Sequence, residues 1–293
     1  MSKDTRIVYR GRGHSYVLDG RKVPGVTTIL DNGIPKPALV GWAANTVADY
    51  VINRLTLVDG QVVADQLVTD LRAYNESRKW PEKMSGEFPR VPLAKVLGTV
   101  QYAERDAAGN RGTEVHKLAE ALTSGQEIEV PDELAGHVAS YIRFLDDWDP
   151  TDALLERVVV NRRWGYMGRL DMIATFPFVD LPDGSKFGGR TLVDIKTSRS
   201  GPFPEVALQL AGYRYCETQL LRGGEEIPME PIDSCAVVWV RADGYDLYCF
   251  KADQSVHRIF LYAKQVADWL DKDTGDSALV KSDALRPPAP VAP

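Results

Sequence analysis

At 293 residues, with 44% apolar and 26% charged residues, the chain has the length and composition of a globular protein with a full core, which excludes collagen-like and low-complexity classes. No apolar run is long enough to span a bilayer, the opening MSKDTRIVYRGRGHSY lacks the apolar stretch of a secretory leader, and three separated cysteines (Cys216, Cys235, Cys249) show no CxxC pairing. A cytoplasmic protein with no zinc or iron–sulfur cluster on cysteine is therefore expected. The net charge of −6 (35 Lys+Arg against 41 Asp+Glu) does not exclude nucleic acid, because RVVVNRRWGYMGR places Arg157, Arg162, Arg163 and Arg169 in one acid-free stretch; such arginines serve either a phosphate-binding patch or a solvated hairpin edge.

In chain order, residues 7–30 read as a β-hairpin turning at Asp19-Gly20, with VTTIL in its second strand. PKPALVGWAANTVADYVINRL reads as a helix opening near Pro37. Residues 56–108 are mixed and polar, read as helical with breaks at Trp80-Pro81 and Phe88-Pro89. NRGTEVHKLAEALTSG is an amphipathic helix with Val115, Leu118, Ala119 and Leu122 inward and Gly125 after its end; PDELAGHVASYIRFLDDW is another. Two strands follow, joined at NRRWGY, then the turn LPDGS and the strand TLVDIKT. PEVALQLAGYRYCETQLLRGG reads as a helix to Gly223, CAVVWVRADGYDLYCF as a hairpin turning at Asp243-Gly244, and SVHRIFLYAKQVADWLDK as a last amphipathic helix before a Pro-rich tail expected to be disordered. The order predicts an α/β or α+β fold, with a central mixed sheet flanked by helices.

The chemistry concentrates in TLVDIKTSRSGP. Asp194 and Lys196 are two apart on a strand and so share a face. That pattern suits a structural ion pair, or a metal site with a lysine aimed at a phosphate. Asp171 lies on the preceding strand, and two carboxylates brought close repel unless a cation lies between them. Hard oxygen donors suit magnesium or manganese. A lysine beside such a cation can hold the attacking water and offset charge on a phosphorane-like transition state. Gln209 and Tyr213, four apart on the next helix, share a face. His116 lies just off its helix's apolar stripe, one turn after Gly112, which permits close packing against a site; Gly168 precedes Asp171 by three, and Gly201-Pro202 closes the loop after Lys196.

Taken in order, RGTEVHKLAE, GRLD, DIKT and QLAGY resemble the RecB-like branch of the PD-(D/E)XK nuclease superfamily, and VPGVTTIL and PKPALVGWA resemble its phage-encoded exonucleases. The resemblance covers roughly residues 16–270. It implies a restriction-endonuclease-like core, and it makes His116, Asp171, Asp194 and the Ile195 carbonyl metal-binding. It gives Lys196, Asp171, Asp194, Gln209 and Tyr213 catalytic roles, with Gln209 and Tyr213 orienting lysine, water or phosphate. Glu156 is a weaker, outer-shell candidate, and Arg162, Arg163 and Arg169 are candidate DNA contacts. The chain departs from the literal Pro-Asp: Asp171 follows Leu170, whereas Pro182-Asp183 stands eleven residues before Asp194 in a turn sequence, a poor place to hold a metal. Some relatives carry an iron–sulfur cluster on four cysteines, which this chain lacks.

The implied function is a Mg2+- or Mn2+-dependent deoxyribonuclease, an exonuclease acting on linear, end-bearing DNA in phage recombination or replication, with a possible partner protein of those processes and no membrane. The host cytoplasm would be its compartment. The competing readings are a structure- or sequence-specific endonuclease of the same fold and a non-catalytic DNA-binding relative. Residues 1–100 would form an N-terminal hairpin and helical region capping the site, 101–272 the nuclease core, and 273–293 the tail. Lys36 and Trp42 are possible nucleic-acid contacts, although Trp42 suits a helix-anchoring core role better. Lys79, Trp80 and Lys83 would line a passage or lie on a solvated loop.

Overall fold

A computed structural model of the chain describes residues 7–10, 15–77, 90–221 and 224–271. Lys79, Trp80, Lys83, the breaks at 80–81 and 88–89, Gly223 and the tail from 272 lie outside the described residues.

Three short strands open the chain: β1 (Val8–Arg10), β2 (Ser15–Leu18) and β3 (Arg21–Val23). Asp19 and Gly20 both take positive φ, 51° and 78°, which the two-residue hairpin turn requires. The VTTIL segment is not a strand. It lies in the helix α1 (Val26–Gly33), where Val26, Ile29 and Leu30 recur at helical spacing and bury together. Burial of that stripe outweighs the strand preference of its β-branched residues. Next come α2 (Pro37–Ile52), the hairpin β4 (Thr56–Val58) and β5 (Gln61–Val63), α3 (Asp65–Ser77) and α4 (Arg90–Thr123). The β4–β5 hairpin stands where helix is expected, and its turn again uses positive φ at Asp59 and Gly60. A single 3-10 turn at Asp132–Leu134 leads into α5 (Ala135–Trp148).

The long strands follow: β6 (Thr151–Asn161), β7 (Tyr166–Asp180) and β8 (Lys186–Lys196), then α6 (Val206–Arg214). The helix expected to run to Gly223 ends at Arg214. Thr218–Leu220 (β9) instead pairs with β6, with Gln219 opposite Val159. β10 (Glu226–Pro228), β11 (Ser234–Arg241), β12 (Gly244–Cys249) and α7 (Gln254–Leu270) complete the chain. Arg241 pairs with Gly244, so the β11–β12 turn is centred on Ala242-Asp243, one residue earlier than Asp243-Gly244.

β6 to β12 form a seven-stranded sheet in the order β10-β9-β6-β7-β8-β11-β12. Among the described strands only β8 and β11 pair in parallel, so the sheet is mixed and mostly antiparallel. One face is covered by α1, α6 and α7, whose Val26, Leu210 and Phe260 meet Leu170 and Leu192. The other is covered by α5 and the end of α4, whose Phe144 and Ala119 meet Met172 and Val193. The fold is α+β, with a large central sheet flanked by helices. Among the described residues no helix is long and apolar enough to cross a membrane.

The chain divides into two compact units, one comprising Met1–Pro35 and Glu114–Pro293, the other Lys36–Thr113. This differs from an expected boundary near residue 100. α4 runs unbroken through that position, and the N-terminal strands belong with the large sheet: Tyr16 and Leu18 pack on Val160 and Met167, and Gly25 bridges to Met167. In the Lys36–Thr113 unit, α2 buries none of its residues, and Trp42, expected to anchor a helix, is 39% exposed.

Candidate metal centre

The site forms where β6 and β7 lose regularity and the β7–β8 ladder ends. Leu170 faces the α1/α6/α7 layer and Met172 the opposite one, although residues two apart on a strand should share a face. The break falls at Asp171. Across from it on β6, between the pairs Leu155–Met172 and Arg157–Leu170, Glu156 has φ 53°, in the left-handed region that non-glycine residues seldom occupy. On the other side, the β7–β8 ladder ends at Met172–Val193. Beyond that pair the Asp171 carboxylate takes over the acceptor role, its Oδ2 receiving the Ile195 N–H at 2.7 Å.

Asp171 Oδ1 points the other way, to His116 Nδ1 at 3.4 Å. His116 comes from the end of α4, held by the buried Val115 and Ala119 on either side. Ligand atoms of His116, Glu156 and Asp171 all lie within 4.8 Å of one another, an arrangement able to hold a cation. Glu156, the weaker candidate by sequence, is thus one of the three mutual neighbours. Asp194 is not, and belongs to the adjoining group.

That group is built on the face shared by Asp194 and Lys196. The Lys196 ammonium lies 2.7 Å from Asp194 Oδ2 and donates to Gln209 Oε1 at 3.2 Å. The Gln209 amide donates to Asp194 Oδ1 at 2.7 Å and to the Tyr213 hydroxyl at 3.4 Å. Asp194, with a side chain only 4% exposed, is therefore fixed from two sides. Its Oδ2 is buried and meets only the Lys196 ammonium. Gly168 makes room for this group: a Cβ there would overlap Cε1 of the Tyr213 ring.

Electrostatics follow from that packing. Burial pulls the His116 ring towards neutrality, but Asp171 and Asp194 together outweigh it and raise its pKa to about 9. Burial, reinforced by the Asp171 charge, lifts Glu156 to about 7, against the pull of Arg169 and His116. Burial likewise raises Asp194, against Lys196. In Asp171 it is overcome by His116 and Lys196, and that carboxyl titrates below its ordinary range. Burial disfavours the Lys196 charge, yet Asp194 and Asp171 hold the ammonium protonated above its usual range.

The remaining candidates fall elsewhere. Asp183 is fully exposed and caps its own turn, accepting from the Ser185 N–H and hydroxyl. Arg169 pairs with Glu156, and Arg162 with Asp19 and Glu226, so two of the three arginines read as phosphate contacts already have acid partners. Arg163 is exposed on the β6–β7 turn, its guanidinium 5.5 Å from the Trp164 ring centre. At about 3.3 Å per residue, that turn is some 20 Å along the strands from Glu156. Gly112 belongs to the Lys36–Thr113 unit. Trp239, to which sequence reasoning assigned no role, is the register partner of Lys196; its indole N–H donates to the Ser198 carbonyl at 2.7 Å, and Gly201, at φ 76°, packs on its ring. It ties down the loop that leaves the site.

No protein-family model matches the chain, and no curated protein matches it. Among solved structures, the crystal structure of SSO0001 matches at 16% identity with a TM-score of 0.25, over 74% of this chain and 88% of that one, a likeness too slight to carry an argument.

Proposed function

We propose that the protein is a divalent-cation-dependent deoxyribonuclease with a restriction-endonuclease-like core, of the RecB-like PD-(D/E)XK type, which degrades linear DNA from an end. The observation that carries this reading is Asp171, whose two oxygens face two donor groups, His116 with Glu156 on one side and the Asp194–Lys196 strand on the other.

The donor set fits a hard cation with some tolerance for nitrogen, Mg2+ or Mn2+. Asp171, Asp194 and Glu156 lie close together and repel unless positive charge stands among them, and His116, Lys196 and Arg169 supply part of it. Asp194 Oδ2, buried and met only by the Lys196 ammonium, keeps acceptor capacity for such an ion. His116, Glu156, Asp171 and Asp194 would hold it. The Ile195 carbonyl joins them, because a strand residue's N–H and C=O leave on the same side and its N–H already meets Asp171. Bound there, such a cation would lower the pKa of an attacking water and would offset charge on the phosphoryl oxygens.

The chain's own groups do the rest. Lys196, held protonated between Asp194 and Gln209, stands ready to neutralise charge on a scissile phosphate or to position the attacking water. Gln209 fixes both Asp194 and Lys196, and Tyr213 fixes Gln209. The reaction is tested by incubating end-labelled linear DNA and covalently closed circles with Mg2+ or Mn2+. Loss of the linear substrate alone, abolished by chelation, supports an exonuclease; rapid cutting of circles points to an endonuclease; no cleavage of either leaves only a DNA-binding role.

A further inference from the structure

One ion pair at the candidate centre reaches beyond its donor set. Arg169 pairs through Nε with Glu156 Oε2, and Glu156 is one of the three residues able to hold a cation. Arg169 stands opposite Val158 on β6, two residues before Asp171. Its neighbours Gly168 and Leu170 face the α1/α6/α7 layer, so its own side chain leaves the sheet on the His116 side. Arg169 is also the more exposed partner of the pair, at 36% against 15% for Glu156. The guanidinium can therefore leave the carboxylate without opening the core.

We propose that Arg169 changes partner when the centre takes up its cation: the guanidinium leaves Glu156 and takes a phosphate of the bound DNA. The proposal rests on the cation-dependent deoxyribonuclease reading given above, and its physical basis is charge. Asp194 has Lys196 beside it, so Glu156 and Asp171 are the carboxylates left for a divalent cation, which matches both. A guanidinium keeps its proton at any working pH and cannot adapt by becoming neutral. Left on Glu156, it would stand a few ångströms from an ion of like charge while sharing that ion's ligand, an arrangement that repels. A DNA phosphate brought to the centre is the acceptor that its planar fork matches. Without a cation, the pair neutralises Glu156 and keeps Arg169 from DNA.

Affinity for a fluorescein-labelled single-stranded oligonucleotide, read by anisotropy at pH 8 in the Lys196→Ala background to slow cutting of the probe, separates this exchange from a standing DNA contact. Glu156→Gln, which breaks the ion pair without metal, should raise metal-free affinity by about fivefold or more, the difference between a charge-assisted and a neutral hydrogen bond. Adding Arg169→Gln should remove that rise. With Glu156 intact, Arg169→Gln should leave metal-free affinity within about twofold, yet weaken binding by about tenfold in saturating Mn2+. Uptake of Mn2+ is followed separately, by loss of the free ion's electron paramagnetic resonance signal. An equal loss of DNA affinity in Arg169→Gln with and without Mn2+, or a rise in Glu156→Gln that survives Arg169→Gln, would overturn the exchange alone. A wild type that takes up no Mn2+ would overturn the cation reading, and the metal-free comparison would still decide whether Glu156 holds Arg169 from DNA. No DNA binding by any variant would overturn both. Should Arg169→Gln fail to fold, Arg169→Lys, which keeps the charge but not the fork, takes its place in both comparisons.

Discussion

Two histidines on helices against the same sheet show how the protein treats charge in two places. His116 lies among Asp171, Asp194 and Glu156; His257 lies among Tyr166, Tyr215 and Phe260, its Nε2 3.0 Å from the Tyr166 hydroxyl and its ring stacked at 4.8 Å on Tyr215. Burial pushes both rings towards neutrality. At His257 nothing opposes it, and the pKa falls to about 4; at His116 the carboxylates win, and it rises to about 9. One region is a satisfied apolar core that tolerates a histidine only uncharged. The other concentrates charge at a point where two strands, β6 and β7, become irregular, which costs stability and which packing alone does not require.

The sharpest break of this comparison is chemical. Lys196→Ala should reduce cleavage by about a hundredfold or more, as for loss of one electrostatic or proton-transfer contact, while metal and DNA binding persist. If the lysine is only the structural partner of Asp194, the variant will instead unfold, or cleave normally when folded. Asp171→Asn comes next. Manganese at a hundred times its dissociation constant should stabilise the wild type by about 2.7 kcal/mol, and thus raise its melting temperature by about 5–10 °C. In Asp171→Asn that rise should disappear.

The two histidines predict opposite limbs of the stability profile without metal. For His257 the folded pKa lies below the ordinary 6.5, so its contribution is complete above about 6.5 and is lost as pH falls towards 4, up to about 3 kcal/mol at 1.4 kcal/mol per unit. Urea titrations of His257→Phe should lose that acid limb. For His116 the folded pKa is raised, so its contribution is complete below about 6.5 and is lost as pH rises through 9. Saturating manganese, which takes the deprotonated ring, should flatten that alkaline limb. The smallest effect concerns Arg163: if it meets a phosphate, Arg163→Ala should lower the slope of log affinity against log salt by about 0.7 for single-stranded DNA. An unchanged slope would leave it a solvated turn residue.

Much of this was legible in local pattern. The strands carrying Asp171, Asp194 and Lys196 announce themselves by alternation, and their shared face follows from a period of two. Gln209 and Tyr213 share a helix face by their spacing. What was not legible depends on contacts between distant segments. Glu156 reads as an ordinary strand residue because its place in the cluster arises from a left-handed φ at a break in the sheet, which no residue type signals. Arg162 and Arg169 read as available cations because their acid partners, Asp19, Glu226 and Glu156, are settled by strand order. VTTIL reads as strand until the layer that buries Val26, Ile29 and Leu30 is known, and Thr218–Leu220 reads as helix until β6 offers it an edge.

The central claim is that Asp171 shares a divalent cation between its two neighbouring donor groups. Anomalous diffraction from crystals soaked in manganese tests it most directly. The account predicts density bonded to Asp171, with His116 or Asp194 completing the coordination and oxygen distances a little beyond the 2.0–2.1 Å typical of magnesium. Density at Asp183, or none near Asp171 at saturating manganese, would contradict it.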